Sequence, residues 1–153
     1  MSRNAVAIRR ASLVDVPTMA RLFDLYRQFY DMRPDESLAS AFIRDRLAAE
    51  QSAIFVAESP DGEAVGFCQI YFSFCSVFAG PICILNDLFV LPRLRGAGVG
   101  AALLAEAEAF AAGTGALRIT LQTAITNDRA QQLYETRGWT RNTTLYGYAK
   151  RLR

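Results

Sequence analysis

The densest chemical signal in the chain lies in residues 93–101, which read Arg-Leu-Arg-Gly-Ala-Gly-Val-Gly-Ala. Gly96, Gly98 and Gly100 remove side chains where a backbone has to approach a ligand closely. An apolar run ending at Pro92 precedes them, and an alanine-rich, helix-forming run follows. A helix start exposes unpaired N–H groups and a partial positive charge, so a diphosphate would be well placed there. Three readings compete. A dinucleotide site fits Gly96-x-Gly98-x-x-Ala101, but that fold wants an acid at the end of the next strand, where this chain has Leu121-Gln122-Thr123. A P-loop needs Gly-Lys-Ser/Thr, which does not follow. A plain tight turn explains the glycines as well.

Composition narrows the chemistry further. The chain has no histidine, which excludes a Ser-His-Asp hydrolase, a Cys-His acyl-enzyme and histidine-ligated metal. Proton transfers must run through Tyr, Asp, Glu, water or the substrate. The three cysteines, Cys68, Cys75 and Cys83, are spaced unlike metal ligands and read as structural thiols of a reducing compartment. No metal site is expected. Lys and Arg number 17 against 15 Asp and Glu, too even to imply nucleic acid or an acidic membrane as partner. No uninterrupted apolar stretch is long enough to span a bilayer, and residues 1–10 lack the apolar core of a secretion signal. These features predict a cytoplasmic protein of one domain over residues 1–153.

Periodicity supplies the elements that would position these residues. Residues 6–9 read as a strand. Asp15 and Pro17 then open a helix with Met19, Leu22, Phe23, Tyr26, Phe29 and Tyr30 along one face. A break around Pro34 leads to a second helix over 37–49, burying Leu38, Phe42, Ile43 and Leu47. Strands follow at 54–58, 64–72 and 82–91, and a helix at 100–112 with Leu103, Leu104, Ala107, Phe110 and Ala111 inward. A strand at 117–124, a helix at 127–137 closed by Gly138, and a last strand at 143–149 complete the chain. The expected fold is α/β: one mixed, mostly antiparallel sheet of about seven strands with four helices.

Two motifs in this order carry a resemblance. Arg95-x-x-Gly98-x-Gly100, preceded by Asp87-Leu88-Phe89-Val90, resembles the pyrophosphate loop and preceding strand of the GNAT family of N-acetyltransferases. One strand further on, Asn127-x-x-Ala130-x-x-Leu133-Tyr134-Glu135-x-x-Gly138-Trp139 is similar to that family's second signature. The resemblance implies the acyl-CoA N-acyltransferase fold and acetyl-CoA as acyl donor. It implies a bulged strand whose backbone at Leu88, Phe89 and Val90 holds the pantetheine arm. Backbone N–H groups of Arg95, Gly96, Ala97, Gly98, Val99, Gly100 and Ala101 would bind the pyrophosphate. Asn127 would face the pantetheine and Tyr134 the thioester sulfur.

The chemistry so implied is modest. A free alkylamine has a pKa of about 10 and must lose a proton before attacking. A backbone N–H at Phe89 or Val90 would stabilise the tetrahedral oxygen, and Tyr134 would protonate the departing thiolate. Tyr134 also reads as a helix aromatic packing inward, and Asn127 as a helix cap. For the base, the family's polyamine enzymes carry Glu where this chain has Asn86. That leaves Asp87, directly or through water, or a water chain with no single base. Asp87 reads equally as a structural hydrogen-bonding group. Tyr26, Phe29, Tyr30 and Asp31 match the acceptor-side helix and loop of the family, with Phe72 and Phe74 as further wall. An aromatic pocket with Asp31, Asn86 or Asp87 suits a cationic amine. The expected acceptor is a small amine, polyamine or amino acid. A protein lysine, a longer acyl group and a non-catalytic acyl-CoA-binding domain stand as alternatives. A homodimer through the last strand, with Trp139 and Tyr146, is the assembly expected.

Overall fold

The computed structural model describes residues 5–153. Two compact units follow one another, the first ending at Leu121 and the second running over Gln122–Arg153. The first holds a sheet of five strands in sequential order: β1 (Ala7–Arg10), β2 (Ser52–Glu58), β3 (Ala64–Cys75), β4 (Gly80–Val90) and β5 (Ile119–Thr120). The first three pairings are antiparallel and β4–β5 is parallel, so the sheet is mixed, as expected.

α1 (Val16–Phe29) and α2 (Glu36–Ala48) cover one face of the sheet. Met19, Leu22 and Phe23 of α1 join Ala39 and Ile43 of α2 over Ile54, Val56, Phe67 and Phe89 of the strands, all buried. Fully burying a side chain such as Phe67 contributes about 1.5–3 kcal/mol. α3 (Val99–Gly113) packs on the other face through Leu103, Leu104, Ala107 and Ala111. Its Phe110 ring meets Phe55 at 5.3 Å and Phe72 at 6.2 Å, and Leu103 offers its carbonyl to the Cys68 thiol. Burial pushes that thiol up to about 12, so Cys68 is inert packing.

Local signals explain most helix ends. Asp35 caps α2 by accepting the Leu38 N–H at 2.9 Å. Asp15 precedes α1, but its carboxylate serves the Ser12 N–H at 2.8 Å and the Arg9 guanidinium rather than the helix. Those bonds tie the end of β1 to the start of α1. Leu38 is the one apolar residue of the expected α2 face that turns out exposed, because Ala39 and Ile43 define the buried stripe.

The strand count differs from the seven expected. The strand predicted over 117–124 pairs only at Cys83↔Ile119 and Ile84↔Thr120. In the second unit, residues 143–149 form no strand among the described residues, and Tyr146 and Tyr148 are exposed. Alternating apolar residues make a strand only where their backbone groups find a ladder. The second unit instead carries α4 (Asp128–Thr136), capped by Asn127 and closed by Gly138 at φ 87°. No helix among the described residues is long and apolar enough to cross a membrane.

Gly66 is a point of close approach between β3 and β4. A Cβ there would lie 2.8 Å from the Phe89 carbonyl oxygen and 3.3 Å from Leu103 Cδ1. Gly66→Ala is therefore expected to destabilise the protein by about 1–3 kcal/mol through overpacking, read as a lower midpoint in chemical denaturation. An unchanged midpoint would show that β4 shifts without penalty.

Candidate functional site

One irregularity in β4 organises the site. Gln69 pairs with Asp87, but the next residue of β3, Ile70, pairs with Leu85, leaving Asn86 as an extra residue in a β-bulge. Side chains normally alternate between faces, so Leu85 and Asp87 would share one. The bulge breaks that parity. Cys83 lies on the α3 side, where its sulfur meets Thr114, while Asp87 and Phe89 lie on the α1 side. The parallel ladder with β5 also stops at Ile84, immediately before the bulge. From Asn86 to Val90 β4 has no strand partner on that side among the described residues, and the Asn86 and Val90 carbonyls accept instead from Tyr26 and Arg95 side chains.

Asp87 is almost fully buried, 3% exposed. Its Oδ2 accepts a hydrogen bond from Gln69 Nε2 at 2.5 Å and its Oδ1 one from Asn86 Nδ2 at 3.0 Å. Behind Gln69, the Ser52 hydroxyl donates to the Gln69 carbonyl oxygen at 2.8 Å. The Tyr26 hydroxyl bonds the Asp87 carboxyl and reaches the Asn86 carbonyl at 3.4 Å. Burial pushes the Asp87 carboxyl above the usual carboxylate range, and these hydrogen bonds only partly oppose it. Burial, then the negative charge of Asp87, hold the Tyr26 hydroxyl far above its ordinary value. The same two causes raise Tyr71, on β3, to about 12. Both tyrosines therefore stay protonated at neutral pH and act as donors or relays.

Aromatic rings wall this cluster. Tyr26 meets Phe67, Phe89 and Tyr30 edge-on at 5.8, 6.2 and 5.1 Å. Tyr30 is 52% exposed and Asn86 is exposed, so residues beside the buried carboxylate reach solvent. Asp31 lies in the exposed turn after α1, in the left-handed region at φ 60°, outside the hydrogen-bonded cluster. Asp24 pins that turn by accepting the Asp35 N–H, Gln28 Nε2 and the Arg27 guanidinium at 2.8–3.0 Å. Burial raises Asp24, yet those bonds outweigh it and hold the carboxylate below its usual range. Phe72 packs against Phe110 on the α3 face and Phe74 is exposed, so Phe72 does not extend the wall around Asp87.

After β4 the chain turns through Pro92–Leu94 into the glycine segment. Gly96 and Gly98 both have φ 85°, a conformation that favours glycine, and Gly98 precedes α3 as its N-cap. A Cβ at Gly98 would meet nothing within 4 Å, so open space lies before the loop. Val99, Gly100 and Ala101 form the first turn of α3, whose N–H groups have no helical carbonyl to bond. Left-handed glycines, open space and a helix N-terminus fit the diphosphate of CoA. Arg95 donates from Nε to the Val90 carbonyl at 3.0 Å and lies over the Phe29 and Phe89 rings, 5.1 and 5.7 Å from their centroids. The loop is thus tied to the aromatic wall and to the end of β4, where Leu88 and Phe89 also sit.

In the second unit Asn127 accepts the Ala130 N–H at 3.2 Å, so it caps α4. Tyr134 packs its ring beside Trp139 at 6.0 Å, and its carbonyl takes the Trp139 N–H. A surface groove of about 340 Å³ opens between β1, the start of α1 and the end of α2. Of the Asp87 cluster, Ser52 alone reaches it, so the titratable groups do not converge there. Gln69, Ser52 and Tyr71 escaped the sequence reading. The available signal was Gln69 itself, a lone amide inside the apolar run of β3.

Comparison with known proteins decides the family. The model of the acetyltransferase (GNAT) family matches residues 19–139. The chain belongs to this family. It is 43% identical over 141 residues, 92% of this chain and 94% of the other, to an uncharacterized N-acetyltransferase, YhfO, of Bacillus subtilis. An aminoglycoside N(6')-acetyltransferase type 1 of Klebsiella aerogenes is 33% identical over 60% of this chain and 62% of its own. The crystal structure of a probable acetyltransferase superposes with a TM-score of 0.89 at 32% identity, covering 96% of this chain and 98% of the other. The GNAT fold and N-acetyltransferase activity follow from this membership.

The buried carboxylate carries a measurable signature. The folded state holds the Asp87 proton more tightly than the unfolded chain does. Asp87 therefore favours folding at low pH, and that contribution is lost as pH rises through its raised value. Asp87→Asn, which cannot ionise, is expected to gain stability relative to the parent as pH climbs from 3 to 8, followed by thermal unfolding. A constant difference across that range would show that the carboxylate is not destabilised by burial.

Proposed function

We propose that this GNAT enzyme transfers the acetyl group of acetyl-CoA to the primary amine of a small molecule, by direct attack in a ternary complex. The observation that carries this reading is the ionisable Asp87 buried beside the aromatic cluster of Tyr26 and Phe89, on the strand that runs into the glycine loop. Tyr26, Tyr30 and Phe89 supply ring surface that attracts a cation, and Asp87 supplies the opposite charge. A small ammonium is therefore drawn to the group that can deprotonate it. The relative that acetylates aminoglycosides supports a polyamine-like acceptor, since aminoglycosides present primary amines on a small scaffold.

In this scheme the residues divide the work. Val99, Gly100 and Ala101 hold the diphosphate with their N–H groups, and Gly96 and Gly98 let it approach. The open edge of β4 at Leu88, Phe89 and Val90 holds the pantetheine arm and offers an N–H to the tetrahedral oxygen. Asp87 takes the ammonium proton through the Tyr26 hydroxyl, which gives its own proton to the carboxylate and receives the substrate's. A carboxyl raised towards neutrality is a better base than an ordinary aspartate. Tyr134, placed in the second family signature, protonates the departing thiolate, and Asn127 combines its capping role with a contact to the pantetheine.

Free-thiol release from acetyl-CoA over a panel of spermidine, amino acids, tobramycin and a lysine peptide tests the whole reading, with calorimetry of acetyl-CoA binding beside it. Turnover on a small amine is expected. Turnover confined to the lysine peptide would replace the small-molecule acceptor with a protein, and no acetyl-CoA binding would sink the donor assignment. Gly98→Glu is expected to weaken acetyl-CoA binding by more than about tenfold, through charge and a forbidden φ. Tyr134→Phe should lower turnover by about a hundredfold with acetyl-CoA affinity kept.

A further inference from the structure

Asp87 is not simply a buried acid, because its two oxygens have different neighbours. Oδ2 accepts from Gln69 Nε2, while Oδ1 accepts from Asn86 Nδ2, and Asn86 is exposed. Gln69 is itself fully buried and cannot turn to water. Its far oxygen accepts the Ser52 hydroxyl, and Ser52 is 3% exposed in β2. Three adjacent strands thus contribute one residue each to a closed row of polar groups, Ser52–Gln69–Asp87, inside an otherwise apolar layer. A buried amide in such a layer is stabilising only if every group is paired, and here each is.

The geometry matters for the direction of proton flow. A carboxylate only accepts hydrogen bonds, so the Gln69 NH2 must face Asp87 while Asp87 is ionised. That orientation presents the Gln69 carbonyl oxygen to Ser52, which is the arrangement observed. We propose that Gln69, anchored from behind by Ser52, is a positioning residue that holds Asp87 as the carboxylate and fixes its orientation towards Tyr26. The transfer balances within the groups named. The ammonium N–H bond breaks as its proton passes to the Tyr26 oxygen, the Tyr26 O–H bond breaks as its proton passes to the Asp87 carboxylate, and the amine is left neutral. The other ionisable groups facing Asp87 are Tyr26 from α1 and Tyr71 from β3, with Arg46 of α2 beside Tyr71 and Cys68 behind the sheet.

This inference rests on Asp87 being the base, and the test separates the two. The Asp87 carboxyl is followed by carbon-13 NMR against pH, without any acceptor, in the parent protein, Gln69→Met and Gln69→Glu. Met keeps the volume and removes the donor. Glu keeps shape and the Ser52 contact but sets a like charge against Asp87. The Asp87 midpoint is expected to rise in the order parent, Gln69→Met, Gln69→Glu. In thiol-release assays kcat should fall about tenfold or more at pH 7 for both variants, with the KM for acetyl-CoA unchanged. Thermal unfolding and acetyl-CoA calorimetry confirm the fold. Should Gln69→Glu fail to fold, Gln69→Met decides alone. A midpoint in Gln69→Met equal to the parent's overturns the positioning role. Asp87→Asn with full turnover, alongside the shifted midpoints, would instead remove Asp87 as the base while leaving Gln69's hold on it intact.

Discussion

A single extra residue in β4 sets the geometry on which the site depends. The bulge at Asn86 does three things in one step. It ends the parallel ladder after Ile84, it turns Asp87 from the α3 face to the α1 face, and it leaves the strand edge from Asn86 to Val90 without a strand partner among the described residues. Bulges raise local twist and free backbone groups, so all three effects share one physical cause. An unbulged strand would place Asp87 among the α3 contacts, far from Tyr26, and continue the ladder along the edge a thioester substrate needs. Gly66 supports the arrangement from the neighbouring strand, because only a residue without Cβ lets β3 lie against the Phe89 carbonyl.

Two buried acids on the α1 side show how environment assigns roles to one residue type. Asp24 is buried, but an arginine, an amide and a backbone N–H surround it, and its carboxylate is held below the usual range. It is a structural anion that pins the turn carrying Tyr30 and Asp31. Asp87 has neutral partners only and no adjacent cation, so burial prevails and its carboxyl is raised. The first acid contributes stability above the usual carboxylate pKa, and the second detracts from it over the same range. A buried group that detracts from stability is the kind that functional sites retain, which agrees with the proposed role of Asp87.

The sequence was informative wherever a local rule fixes the structure. Left-handed positions call for glycine, so Gly96 and Gly98 marked the loop. Helical spacing marked the buried stripes of α1 and α3, and the cap at Asn127 with Gly138 marked both ends of α4. Pairing was not legible. Residues 117–124 and 143–149 carry β-type alternation, yet one pairs over two residues and the other forms no strand. Register depends on a partner elsewhere in the chain, and alternation says nothing about whether that partner is straight. Cys83, Leu85, Asp87 and Phe89 alternate as though they shared a face, and the bulge that divides them leaves its trace only in the polar pair Asn86-Asp87. Gln69 was hidden for a similar reason. Its meaning comes from the residue across the ladder, which no linear pattern displays.

The two ends of the first unit's site use different parts of the chain. The glycine loop and the open half of β4 present backbone N–H and C=O groups, whose positions change little when surface side chains are exchanged. The proposed acceptor side is built from side chains: Tyr26, Tyr30, Asn86 and Asp87, each replaceable without altering the backbone. Backbone recognition suits a constant donor, and side-chain recognition suits an acceptor that differs among relatives of the same fold. Asn86 lies where these two systems meet. Its backbone makes the bulge, while its side chain donates to Asp87 Oδ1. Under the proposed function, a change of side chain at that position alters acceptor chemistry while the backbone bulge remains.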